Sequence, residues 1–126
     1  MPDANPIFEK VPRPESVNKL IEYLKSVRVV TNADKVEDQL IRVERSNGPT
    51  INAFLTNIYI VGEADVIEIL SEHEDIDCII TMSVWNSYTG NAKTHCYQER
   101  VGLFTFKEFL GAVYKTGKKF LDYETR

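Results

Sequence analysis

Residues 76–113 read IDCIITMSVWNSYTGNAKTHCYQERVGLFTFKEFLGAV. Within them the hydrophobic period changes four times, and the order of those changes sets the fold class. The run over 76–82 is apolar apart from Asp77 until its last residues, as expected of a strand covered on both faces. A loop dense in hydroxyl, amide and aromatic groups follows. Residues 89–99 then place Ala92 and Cys96 four apart on one side of a helix. Residues 101–106 form a second strand containing Gly102. Thr105-Phe106-Lys107-Glu108 has the spacing of a capping box, in which each side chain accepts the other residue's backbone N–H. The helix it opens is expected to turn Phe109, Leu110, Val113 and Tyr114 inward.

Upstream, residues 63–73 carry Ala64, Val66, Ile67 and Leu70 as an apolar helical face, with Glu63 and Asp65 favouring the N-terminal end of the dipole. Residues 39–45 alternate, Ile41 and Val43 on one side and Arg42 and Glu44 on the other. Ser46-Asn47-Gly48-Pro49 is a turn, since Asn and Gly tolerate positive φ and Pro ends a ladder. Residues 50–60 return as a second hairpin strand, rich in β-branched and aromatic side chains. Residues 16–26 form the first helix, with Val17, Leu20, Ile21 and Leu24 as its stripe and Ser16 as its cap. Residues 27–30 read as a short strand or the end of that helix, and the polar stretch 31–38 as a loop.

Strands alternating with helices in the second half imply parallel strands joined by right-handed crossovers. The fold class expected is therefore α/β: a mixed sheet with an N-terminal antiparallel hairpin and a C-terminal parallel β-α-β-α-β-α, flanked by helices. The chain of 126 residues suits one domain over 16–115, after an irregular proline-containing lead-in (1–15, with Ile7, Phe8 and Val11 on the core surface) and before a tail (116–126).

Composition narrows the class further. Hydrophobic residues are 43% and charged residues 27%, ordinary for a globular protein. A net charge of −4 and a pI near 5.2 exclude a whole-surface basic footprint for nucleic acid. Lys115, Lys118 and Lys119 cluster, but Asp122 and Glu124 follow them, which suits a solvated tail better than a phosphate strip. Met1-Pro2-Asp3-Ala4-Asn5 has neither the basic start nor the apolar run of a signal peptide, and no stretch is long enough to span a membrane, so a cytoplasmic protein with reduced thiols is expected. There is no Walker A loop and no G-x-G-x-x-G.

Open α/β sheets hold ligands in the crevice beyond the C-terminal strand ends. Ser83, Trp85, Asn86, Ser87, Tyr88 and Thr89 fall there as candidate ligand-binding residues, with Lys93 adding charge in the following helix and Tyr59 as a neighbour. The competing reading makes Ser87 or Thr89 a helix cap, Asn86 a turn closer and Trp85 a core or sheet-edge filler. His73 and His95 lack partners at metal-ligand spacing. Cys78 and Cys96 read as buried apolar thiols. Glu72, Glu74, Asp75 and Asp77 lack the glycine-containing loop of a calcium site and read as a solvated turn.

The element order resembles the restriction-endonuclease-like fold. The second half is similar to the C-terminal part of Mrr-type restriction endonuclease domains, on Thr81-Met82-Ser83 ending an apolar strand, Trp85 in the loop, Ala92 and Cys96 on the helix, Val101-Gly102-Leu103, and Glu108-Phe109-Leu110. Family members that cut DNA hold a divalent metal with an Asp followed by a Glu-x-Lys or Gln-x-Lys triplet on the hairpin. The matching strand here, Asn52-Ala53-Phe54-Leu55-Thr56-Asn57-Ile58-Tyr59, has no acid and no lysine. The resemblance thus implies a degenerate centre, no cofactor, and a binding module for nucleic acid or a protein partner, with a homodimer by analogy. The alternatives are a magnesium-dependent nuclease built from Asp34, Asp38 or Glu44, with Glu37 beside them, and a regulatory protein-interaction subunit.

Overall fold

The structure, a computed structural model, describes residues 10–124. Helix α1 (Pro14–Lys25) starts on a proline, whose fixed φ suits a first helical position and whose missing N–H costs nothing there. It buries Val17, Leu20 and Leu24. The cap position is Arg13, so Ser16 lies inside the first turn instead of capping the helix.

The stretch expected as a loop over 31–38 is a strand, β1 (Val30–Glu37), running antiparallel to β2 (Leu40–Arg45). Asn32 stands opposite Glu44, Ala33 opposite Val43 and Asp34 opposite Arg42. β1 is an edge strand, and of its residues only Ala33 is buried. An apolar alternation therefore never appears in its sequence, and the ladder to β2 defines it. Irregularities in the register on either side of that stretch bend the edge, a common way to blunt it.

β2 pairs antiparallel with β3 (Ile51–Thr56) through the expected turn. The second hairpin strand is shorter than 50–60. Beyond Thr56 the chain leaves the sheet, and a separate short strand β4 (Ile60–Val61) pairs in parallel with β6 (Ser87–Tyr88). Helix α2 (Glu63–Glu72) leads to β5 (Cys78–Thr81). Helix α3 (Gly90–Gln98) leads to β7 (Gly102–Thr105), followed by α4 (Phe106–Ala112) and α5 (Gly117–Leu121). The five-stranded sheet has the order β1-β2-β3-β5-β7, with β3, β5 and β7 mutually parallel.

One side of the sheet packs Val17, Leu20 and Leu24 of α1 and Phe109 of α4 over Ile41, Leu55, Ile80 and Phe104. The other packs Val66 and Ile69 of α2 and Ala92 and Cys96 of α3 over Phe54, Ile79 and Leu103. Both cysteines are buried and free. Phe120, in the stretch expected as a tail, is buried against the first of these layers, with its ring 5.2 Å from that of Phe104. Tyr114 is exposed, where the helical stripe had suggested an inward position. Ile7 and Phe8 lie outside the described residues. Among the described residues no helix is long and apolar enough to cross a membrane.

Candidate functional site

The parallel strands end level with one another on three threonines. Thr56 is in register with Thr81, and Thr81 with Thr105. Each hydroxyl makes a hydrogen bond at its strand's end. Thr56 donates to the Lys10 carbonyl at 3.1 Å, Thr81 donates to the Ile58 carbonyl at 2.8 Å, and Thr105 accepts the Glu108 amide at 3.2 Å. Glu108 returns the capping contact by accepting the Thr105 amide at 3.0 Å.

Two loops rise from these tips. The loop after β5 closes on itself through the Asn86 amide and the Ser83 carbonyl, at 2.9 Å. Its Asn86 side chain is buried and donates to the Asn57 side-chain oxygen at 3.0 Å, which ties this loop to the one after β3. Between these loops and α1 lies a crevice of about 580 Å³, within the size range of ligand pockets. α1 contributes Arg13, Ser16, Lys19 and Tyr23 to one wall. Asn57, Met82, Ser83, Val84 and Phe106 make the rest.

Trp85 does not fill the core. It is 79% exposed, and Val84 beside it is 83% exposed. Tyr59 and Ile60 on the neighbouring loop are exposed as well. Four large apolar side chains thus stand in water on two segments joined by the Asn86–Asn57 contact and the β4–β6 pairing.

The remaining candidates from the sequence point elsewhere. Ser87 is an exposed residue of β6 whose amide donates to the Tyr59 carbonyl at 2.8 Å. Thr89 caps α3, accepting the Ala92 amide at 3.1 Å. Tyr88 donates to both carboxylate oxygens of Glu108, at 2.9 and 3.0 Å, and burial together with that carboxylate pushes its phenol well up. Lys93 is buried. Its ammonium donates to the carbonyls of Leu103 at 2.6 Å and Tyr123 at 2.9 Å and lies 4.5 Å from the Phe104 ring centroid. Burial lowers its pKa, against the raising influence of Glu108 and other nearby acidic groups. Of the residues singled out in sequence, Ser83 therefore lines the crevice and Trp85 is exposed next to the lining residue Val84, while Tyr88 bonds the first turn of α4, Thr89 caps α3 and Lys93 ties α3 to β7.

The acidic candidates sit on the β1–β2 ladder. The Asn32 side-chain amide donates to Asp34 and to Glu44, so two carboxylates converge on one amide group. Asp38 is at the turn, with Lys35 at 3.4 Å. Among the described residues no three His, Cys, Asp or Glu side chains gather as a metal site. Asp34 and Glu44 meet at Asn32, whereas Asp38 stands at the turn beside Lys35, so the three carboxylates do not converge on one position. His73 stacks on Phe54 with 4.5 Å between ring centroids, and His95 lies 3.0 Å from a Glu63 oxygen. Burial pushes the Cys78 thiol far up and that of Cys96 to about 12, which makes both poor nucleophiles.

Sequence reasoning missed the α1 wall. The signal was present: Ser16, Lys19 and Tyr23 recur at spacings of three and four beside the apolar stripe, with Arg13 at the cap. No family model, curated protein or solved structure matches the chain.

Proposed function

We propose that the chain is a restriction-endonuclease-like α/β domain, degenerate at the metal-nuclease position, that works by binding a protein partner on its strand-tip loops. The element order supports the architecture: one helix, three antiparallel strands, then two helix–strand crossovers. β3 reads INAFLT, without the acid or lysine that DNA-cutting members of the resembled family commonly carry on that strand.

The observation that carries the binding reading is the joint exposure of Tyr59, Ile60, Val84 and Trp85. Single exposed apolar residues are normal, but a group of them on two linked loops marks an interaction surface. Aromatic anchors surrounded by aliphatic groups are the usual centre of a protein interface. Stacking on nucleobases uses aromatic faces and has no use for Val84 or Ile60. The acidic balance of the chain favours the same choice. The proposed setting is the cytoplasm, where both cysteines stay reduced.

The test is affinity capture from a lysate of the encoding organism, comparing the native chain with a Val84→Asp, Trp85→Ser variant of unchanged melting temperature. A partner retained by the native chain and lost by the variant supports the reading. Equal capture by both overturns it. So does tight binding of single-stranded DNA that weakens steeply with added salt, the mark of phosphate contacts. Sedimentation of the pure protein reads self-association through the same surface.

A further inference from the structure

We infer that the crevice between α1 and the strand tips takes a short extended segment of the partner in which acidic and apolar residues alternate. This inference rests on the protein-binding reading above and adds the chemistry of the occupant.

The charged side chains lining the crevice are Arg13 and Lys19, both cationic, in a chain whose net charge is −4. The crevice lining thus carries the sign opposite to that of the chain as a whole. Arg13, the cap residue, and Lys19 are six positions apart and both line the crevice, about 9 Å apart along the axis at 1.5 Å per residue. Carboxylates at alternate positions of an extended segment are about 7 Å apart and face the same way. Flexible Arg and Lys side chains cover the difference.

The opposite wall is of another kind. Met82, Val84 and Phe106 present apolar surface, and Ser83 and Asn57 supply hydrogen-bonding groups between them. An extended chain sends successive side chains to opposite sides. A segment lying in the groove therefore presents acids to α1 and apolar groups to the loops.

The surroundings discriminate against a longer polyanion. Glu15 and Glu22 share the adjoining face of α1 with Asn18, Lys19 and Tyr23. A nucleic-acid backbone following the helix meets those two carboxylates, whereas a short peptide entering the crevice does not.

Trp85, the sole tryptophan, stands next to Val84 of the crevice wall and reports binding by its fluorescence. The probes are a blocked peptide alternating glutamate and phenylalanine, its glutamine-for-glutamate and lysine-for-glutamate counterparts, and an oligothymidylate. The acidic peptide is expected to shift the emission saturably, the glutamine peptide to bind at least tenfold more weakly, and the lysine peptide to give no shift. An Arg13→Glu, Lys19→Glu variant, with its melting temperature checked, is expected to reverse the order of the acidic and lysine peptides. Equal binding of the acidic and glutamine peptides overturns the inference. So does the absence of any acidic-peptide signal; if Val84→Asp, Trp85→Ser still abolishes partner capture, the docking surface then stands and only the acidic occupant falls. Oligothymidylate binding tighter than every peptide overturns both readings.

Discussion

The buried ammonium of Lys93 donates to the main-chain carbonyl of Tyr123, thirty residues away in sequence, at 2.9 Å. Its second hydrogen bond, to Leu103, places the same group on β7. One side chain therefore fastens α3, the outer parallel strand and the C-terminal segment. Arg45 does similar work from β2, donating to the carbonyls of Val113 and Lys115 at 3.0 and 2.7 Å and lying over the Phe120 ring. Both cations act on the stretch after α4, which is why that stretch folds onto the core.

Lys93→Met keeps the aliphatic stem and removes the charge. It leaves two carbonyls without this donor and removes one positive charge that interacts with the buried Glu108. A loss of about 2–4 kcal/mol is expected, as for removing one member of a buried polar group. Urea denaturation measures it, and a loss under about 0.5 kcal/mol, the range of an ordinary surface change, contradicts the fastening role.

Two glycines predict opposite effects. A Cβ on Gly102 meets the Phe104 ring at 2.6 Å and the Cys78 Cβ at 3.3 Å. Phe104 is fully buried and has nowhere to move. Gly102→Ala is therefore expected to destabilise by about 1–3 kcal/mol. Gly90 begins α3 with open space around it, so Gly90→Ala is expected to stabilise by about 0.4–1 kcal/mol. Thermal melts of the two variants give the comparison directly, and the same sign in both contradicts it.

Alkaline pH weakens the fold through protons that the native state retains. The Cys96 thiol is held at about 12 against an ordinary 9.0, and Cys78 and Tyr88 are raised in the same sense. Between those limits the unfolded chain releases a proton that the folded chain keeps, so stability is complete below pH 9 and falls as pH rises toward 12. Lys93, lowered by burial, works in the opposite direction over part of the same range. Cys96→Ala is expected to flatten the decline measured by denaturation between pH 8 and 10.5, and an unchanged slope contradicts this assignment.

Plasmid, single-stranded DNA and RNA are expected to stay intact with the pure protein in magnesium or manganese. Asp34 and Glu44 share the Asn32 amide, and β3 brings no acid or lysine to them. Metal-dependent cutting that Glu44→Ala abolishes contradicts the degenerate reading.

The parallel half of the fold was legible because its strands and helices are covered and keep their periods. Cys78 to Thr81 is buried throughout, and the box of Thr105 and Glu108 forms as its spacing implied. β1 was illegible because one buried residue, Ala33, leaves no pattern. The small β4–β6 pair escaped for a related reason: two residues per strand carry no period. At the site, residue type suggested the region but not direction. Ser83, Trp85, Tyr88 and Lys93 lie within eleven positions, yet the turn at Asn86 and the parallel contact of β6 send the last two toward β7. The cations of the crevice come from α1, far away in sequence, and only the tertiary fold brings them to the strand tips.

The strand-tip loops are the proposed meeting point of this chain and its partner. Amide hydrogen exchange of the chain, alone and with the captured partner, tests it most directly. New protection is expected to be confined to residues 57–60 and 83–86 and to the first turns of α1. Protection centred on the β1 edge or on α2, with the tip loops unchanged, would contradict it.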